Sequence, residues 1–169
     1  MGYPKEYLDF LIHFHCDRDY FECHEVLEEY WKETDPGNRS SIWVGLIQMA
    51  VGFYHFRRNN RQGASRILNK GMEILKQHPE SLRNLGIDSD KLLAILKDTL
   101  VNIRSGKDYQ SVGLPLTDEL KRIVDAECSK IGRQAVIPPS IIHRHTMRDR
   151  TEVIRMREEA LLLKQKQKD

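Results

Sequence analysis

The stretch from Ile42 to Tyr54 constrains the fold more than any other. Ile42, Trp43, Leu46, Ile47, Ala50, Val51, Phe53 and Tyr54 recur at helical spacing and cover most of one helix's circumference. A helix that is apolar nearly all round has no face to give to water, so other elements must enclose it. Convincing two-residue alternation is missing from the chain, so the enclosing elements are helices as well. The expected architecture is all-α: an antiparallel helical bundle of about five helices with a C-terminal helical extension.

The surrounding elements follow from breakers and caps. A first helix is expected from about Pro4 to His15, with Tyr7, Leu8, Leu11, Phe14 and His15 on one side. Asp19 is a good N-cap for a second, and Glu22 completes a capping-box-like pair. Thr34-Asp35-Pro36-Gly37-Asn38 stops that helix. The apolar helix runs to about Arg58 and breaks at Asn59-Asn60, and a fourth runs from Arg61 to about Gln77. Asp88 caps a fifth, which ends at Gly106. Short connections favour antiparallel neighbours. Residues 1–108 are read as the bundle core and 109–169 as the extension, docked or arm-like. In the extension, Thr117 caps a helix to about Ile131. A charge-rich helix is expected from about Met147 to Lys168, within a stretch from Arg144 that has eight Lys/Arg against five Asp/Glu.

Composition narrows the function classes. The net charge of +2 is too small to argue for nucleic acid, which is an unlikely partner. No apolar run approaches membrane-spanning length and Met1 starts no signal peptide, so no membrane partner is expected. Cys16, Cys23 and Cys128 are odd in number and form no CxxC pair. They read as reduced thiols in a cytoplasmic protein, with no disulfide framework.

Two stripes carry the candidate chemistry. Phe21, His24, Glu28 and Trp31 share a face of helix two at 3-4-3 spacing, and Gly45, Gln48, Gly52 and His55 repeat that spacing on helix three. In an antiparallel hairpin the short loop would set Gln48 level with His24, Gly45 with Glu28 and Gly52 with Phe21. Glu25 points about one residue's rotation away. The main reading is a buried network of His24, Glu25, Glu28, Gln48 and His55 that fixes helix register, because buried polar groups must find partners. Phe21, Trp31, Gly45 and Gly52 would be its packing partners. The rival reading is chemical: imidazole and carboxylate at His24, Glu28 and His55 can hold a divalent metal or act as base and orienter. No cofactor is required by the pattern. His24-Glu25-Val26-Leu27-Glu28 is HExxE and lacks the second histidine of the HExxH zinc motif. Neither His24 nor His55 has the glutamate three residues before it that a ferritin-like site needs.

Together these residues resemble a known family. Tyr20-Phe21-Glu22-Cys23-His24-Glu25-Val26-Leu27-Glu28, Trp31, Gly45-Leu46-Ile47-Gln48, Ala50, Tyr54-His55, Arg58, Asn60 and Gly63-Ala64 are similar to the signature of the domain-of-unknown-function family 309. That family comprises small bacterial and archaeal helical proteins. The resemblance covers roughly residues 5–80 and implies an all-helical bundle. It makes His24, Glu25, Glu28, Trp31, Gln48 and His55 the signature positions, and it implies no particular activity, substrate or cofactor.

Arg57, Arg58 and Arg61 cluster at the turn between helices three and four, a candidate anion site beside a helix N-terminus. With no complete catalytic motif, the leading functional expectation is a protein-binding or scaffold module that holds a protein partner, itself included. The alternative is a metal-dependent or acid–base enzyme acting on a small or phosphorylated substrate at His24, Glu28 and His55.

Overall fold

A computed structural model describes residues 2–131. It contains seven α-helices and one π-helical turn, and among the described residues the sole β feature is an isolated bridge between Ile87 and Leu116. The chain is all-α. The charge-rich helix expected from about Met147 to Lys168 lies outside the described residues.

α1 spans Lys5–Ile12 and buries Tyr7, Phe10 and Leu11. Instead of running straight to His15, it widens into a π-helical turn over His13–Asp17. Arg18 ends the turn in the left-handed conformation, at φ 56°. α2 covers Tyr20–Thr34, and its N-cap Asp19 accepts from the Glu22 amide as the capping pattern predicts. Trp31 donates its indole N–H to the Asn38 carbonyl (3.1 Å), folding the breaker segment back on the helix.

α3, Ile42–Arg57, is the central helix. Leu46, Ile47, Met49, Ala50, Phe53, Tyr54 and Phe56 are all buried, which accounts for its all-round apolar sequence. Ser41 caps it, and Asn59 at φ 65° turns the chain into α4, Arg61–Leu75, which Asn60 caps. α3 lies between α2 and α4, and α4 leans on α6. A short α5, Pro79–Asn84, was not expected from the sequence. Pro79 at its first turn suits a helix start as well as it suits a helix stop. α6 runs Ser89–Arg104 with Asp88 as its cap.

The segment after α6 returns across the bundle before α7, Asp118–Ile131. Leu114, Leu120, Val124 and Cys128 join the same hydrophobic core as α1 to α6. Residues 109–131 therefore dock on the bundle. Their docking corrects the cysteine reading, because Cys16 and Cys128 are joined by a disulfide with a Cα–Cα distance of 5.1 Å. The pair is 112 residues apart in sequence, so no spacing rule could have matched them. Cys23 alone is a free thiol, and it is buried. Among the described residues no helix is long and apolar enough to cross a membrane.

Candidate functional site

On α2 the signature stripe forms a ladder. His24 Nε2 lies 2.8 Å from Glu28 Oε2, and the other carboxylate oxygen of Glu28 is 3.0 Å from Lys32 Nζ. The i, i+4, i+8 spacing brings these groups over one another on a single helix face. His24 Nδ1 faces Glu25 Oε1 at 3.7 Å. The imidazole thus has a carboxylate at each nitrogen. None of the three side chains is buried: His24 is 28%, Glu25 40% and Glu28 33% exposed. The stripe lies at the rim of the α2–α3 seam and is reachable by solvent.

An aromatic row continues from it. The His24 ring is 5.8 Å from Phe21, Phe21 is 6.2 Å from Tyr54, and Tyr54 is 5.7 Å from His55. The Arg58 guanidinium sits over the Tyr54 ring at 5.3 Å, a cation–π arrangement. His24 and His55 therefore stand at opposite ends of a row with two rings between them. Among the described residues no group of three or more His, Cys, Asp or Glu side chains gathers as a metal site, so His24, Glu28 and His55 do not form the expected ligand set.

The expected seam between the two stripes is not what the glycines serve. A Cβ on Gly45 would meet Leu75, and one on Gly52 would meet Leu68. Both partners belong to α4. Gly71 of α4 presses in return on the backbone of Gly45 and Met49 and on Cβ of Gln48. The Gly45–Gln48–Gly52 stripe thus faces α4 instead of α2. Tyr54, not Gly52, reaches Phe21. Gln48 Oε1 is buried without a hydrogen-bond partner, and both His24 nitrogens face glutamates, so no His24–Gln48 link forms. The glycines of α4 were the missed signal: Gly71 sits between Leu68 and Leu75, which complement Gly52 and Gly45.

His55 Nδ1 is 3.3 Å from the Asn60 side-chain amide, at the turn into α4. Burial and the nearby Arg58 and Arg66 push its pKa below the ordinary histidine value. The three candidate anion ligands diverge. Arg57 turns inward, donates to the Arg18 carbonyl (2.7 Å) and stacks on the Tyr20 ring at 4.6 Å. Arg58 covers Tyr54. Arg61 donates to the carbonyls of Ile103 (3.2 Å) and Lys107 (2.7 Å), satisfying the C-terminal end of α6. The turn is a structural junction, and its arginines do not converge on one anion.

A family model described as a domain of unknown function (DUF309) matches residues 7–67. The uncharacterised protein YpuF of Bacillus subtilis (strain 168) is 42% identical over 173 aligned residues, covering 99% of each chain. The chain belongs to the DUF309 family. The matched stretch of the DUF309 model takes in every signature residue from Phe21 to His55, and it stops before Gly71. The likeness to YpuF continues through the docked C-terminal segment. An uncharacterised protein of Aquifex aeolicus (strain VF5) is 26% identical over 82 residues, 48% of this chain and 24% of that protein. No solved structure matches the chain.

Proposed function

We propose that this DUF309 protein is a non-enzymatic protein-binding module whose contact surface is the rim of the α2–α3 seam. The observation that carries the reading is the state of His24: fixed between Glu28 and Glu25, beside the Phe21 ring, and still 28% exposed. Side chains held in one geometry at the surface lose little freedom on association, which favours recognition. The adjoining Phe21 and Tyr54 rings and the Arg58 cation are of the residue types that carry binding energy in protein contacts. The partner tested first is a second copy of the chain.

Sedimentation equilibrium across a concentration series is the test. Wild type should associate with increasing concentration, and Phe21→Ala with His24→Ala should abolish this while far-UV circular dichroism stays unchanged. A wild type that remains monomeric, or a double variant that associates as well as wild type, would overturn the reading.

The 2.8 Å His24–Glu28 pair also has the form of a base and its orienter, which supports an acid–base enzyme as the second reading. Against it, the Glu25 carboxylate stands 3.7 Å from Nδ1 and crowds the nitrogen that a substrate would have to reach. Metal analysis separates the metal-dependent form: stoichiometric zinc or manganese that disappears in His24→Ala would place the enzyme ahead.

A further inference from the structure

Three anchors of the C-terminal segment come from the π-helical turn and the residue that ends it. The Leu114 amide donates to His15 Nε2 (3.0 Å), Cys16 is bonded to Cys128, and Arg18 Nη1 donates to the Val112 carbonyl (2.9 Å). The extra residue of a π-insertion re-aims the side chains around it, and such insertions recur at functional positions. α7 rests against this turn and α1. Its buried contribution is narrow: Leu120, Val124 and Cys128, with Lys121, Arg122, Ile123, Asp125 and Ala126 exposed around them. A helix with so few apolar contacts sits at the low-stability end of a fold. The covalent link is at its last turn.

We propose that Cys16–Cys128 is a reversible thiol–disulfide clasp that sets whether α7 stays packed on the π-helical turn. A thiolate of a dithiol reductant attacks one sulfur and forms a mixed disulfide, releasing the other cysteine as a thiol. The reductant's second thiolate then displaces the remaining cysteine. The products are two protein thiols and one oxidised reductant, and an oxidised dithiol reverses the exchange. Both sulfurs are buried, so attack requires α7 to lift, and reduction keeps it loosened. Cys23 does not intervene. It lies inside α2 with its Sγ–H directed at the Phe10 carbonyl (3.4 Å), and burial raises its pKa.

The test uses the full chain after oxidation with oxidised dithiothreitol and again after reduction with dithiothreitol. Alkylation under denaturing conditions should label one thiol per chain before reduction, Cys23, and all three after it. Hydrogen exchange followed by mass spectrometry should show amides of 118–131 exchanging at least about tenfold faster once reduced, with α3 and α4 still protected. Cys16→Ser and Cys128→Ser should each reproduce the reduced pattern without reductant. Three labelled thiols in the oxidised sample would overturn the clasp. So would unchanged exchange in α7, or loss of protection throughout the bundle, which would make the bond a structural staple. The outcome is independent of whether the α2–α3 rim binds a partner.

Discussion

His13 and His15 stand two residues apart in the π-helical turn and respond to acid in opposite directions. His15 Nδ1 donates to the Leu11 carbonyl (2.8 Å) while Nε2 accepts from the Leu114 amide, a pattern that needs the neutral ring. Burial lowers its pKa below 6.5 and Arg18 adds to this, against the Leu11 carbonyl and Asp125 on α7. Between the folded value and 6.5 the unfolded chain takes a proton that the native chain refuses, so His15 stabilises fully above 6.5 and loses this as pH falls through its folded value. For His13, burial is the largest single influence and works to lower the pKa, but the Asp17 carboxylate at 3.1 Å, Asp19 and Glu22 together outweigh it and the net shift is upward. Its stabilisation is complete below 6.5 and fades as pH rises through the folded value. The prediction is a crossed pair. His15→Ala should destabilise by more at about pH 8 than at about pH 5, and His13→Ala by more at about pH 5 than at about pH 8. Urea denaturation at both pH values measures each difference, and equal losses at the two would refute the assignment.

At the scale of elements, the contact that decides the packing is between α3 and α4. Gly71 meets backbone atoms, with the Gly45 carbonyl and Met49 amide each 3.0 Å from where its Cβ would lie. Gly45 meets mainly the end of the Leu75 side chain, at 2.9 Å. A side-chain tip can move, whereas a helix backbone moves only as a unit. Alanine in a helix gains about 1 kcal/mol over glycine, so the two substitutions separate cleanly. Gly71→Ala should destabilise by roughly 1–3 kcal/mol net, and Gly45→Ala by clearly less, read from urea midpoints at constant m. The same pair of helices shows what was legible in the sequence. Caps and breakers are local, so Asp19, Asn60 and Asp88 marked their helices as the structure has them. The all-round apolar character of α3 placed it centrally without any knowledge of its neighbours. The direction its glycines face was not legible from α3 alone, because 3-4-3 spacing defines a stripe but not the helix it meets. His24 and Glu28 were correctly placed on one face because i, i+4 geometry belongs to α2 by itself. Gln48 and His55 were drawn into the same cluster by an assumed register, and Gln48 instead lies against Gly71.

At the scale of the whole described fold, residues 105–117, which have little regular structure of their own, close the bundle. This strap runs from the end of α6 to α7 and is pinned along its length: Arg61 holds the Lys107 carbonyl, Arg18 the Val112 carbonyl and His15 the Leu114 amide. Between these pins, Tyr109 packs its ring against Tyr20 at 6.2 Å and Phe56 at 5.7 Å, and its hydroxyl bonds that of Tyr20. The Arg57 guanidinium lies 4.6 Å from one tyrosine ring and 5.9 Å from the other. Arg57 Nε and Nη2 are buried without hydrogen-bond partners, so the faces of the two rings are a main compensation for that cation. Tyr109 is 89 residues from Tyr20 in sequence, and nothing local to Lys107-Asp108-Tyr109-Gln110 distinguishes it from a surface loop residue. Its weight is visible only once the bundle is assembled. Removing the ring opens a cavity over Arg57 and leaves the Tyr20 hydroxyl unmatched, so Tyr109→Ala should destabilise by roughly 2–4 kcal/mol. Tyr109→Phe keeps the ring and loses the hydroxyl pair alone, for roughly 1–2 kcal/mol. Urea unfolding of both variants decides between a structural strap and a loop that merely lies on the surface: a Tyr109→Ala protein within about 0.5 kcal/mol of wild type, the range of ordinary surface substitutions, would rule the strap out.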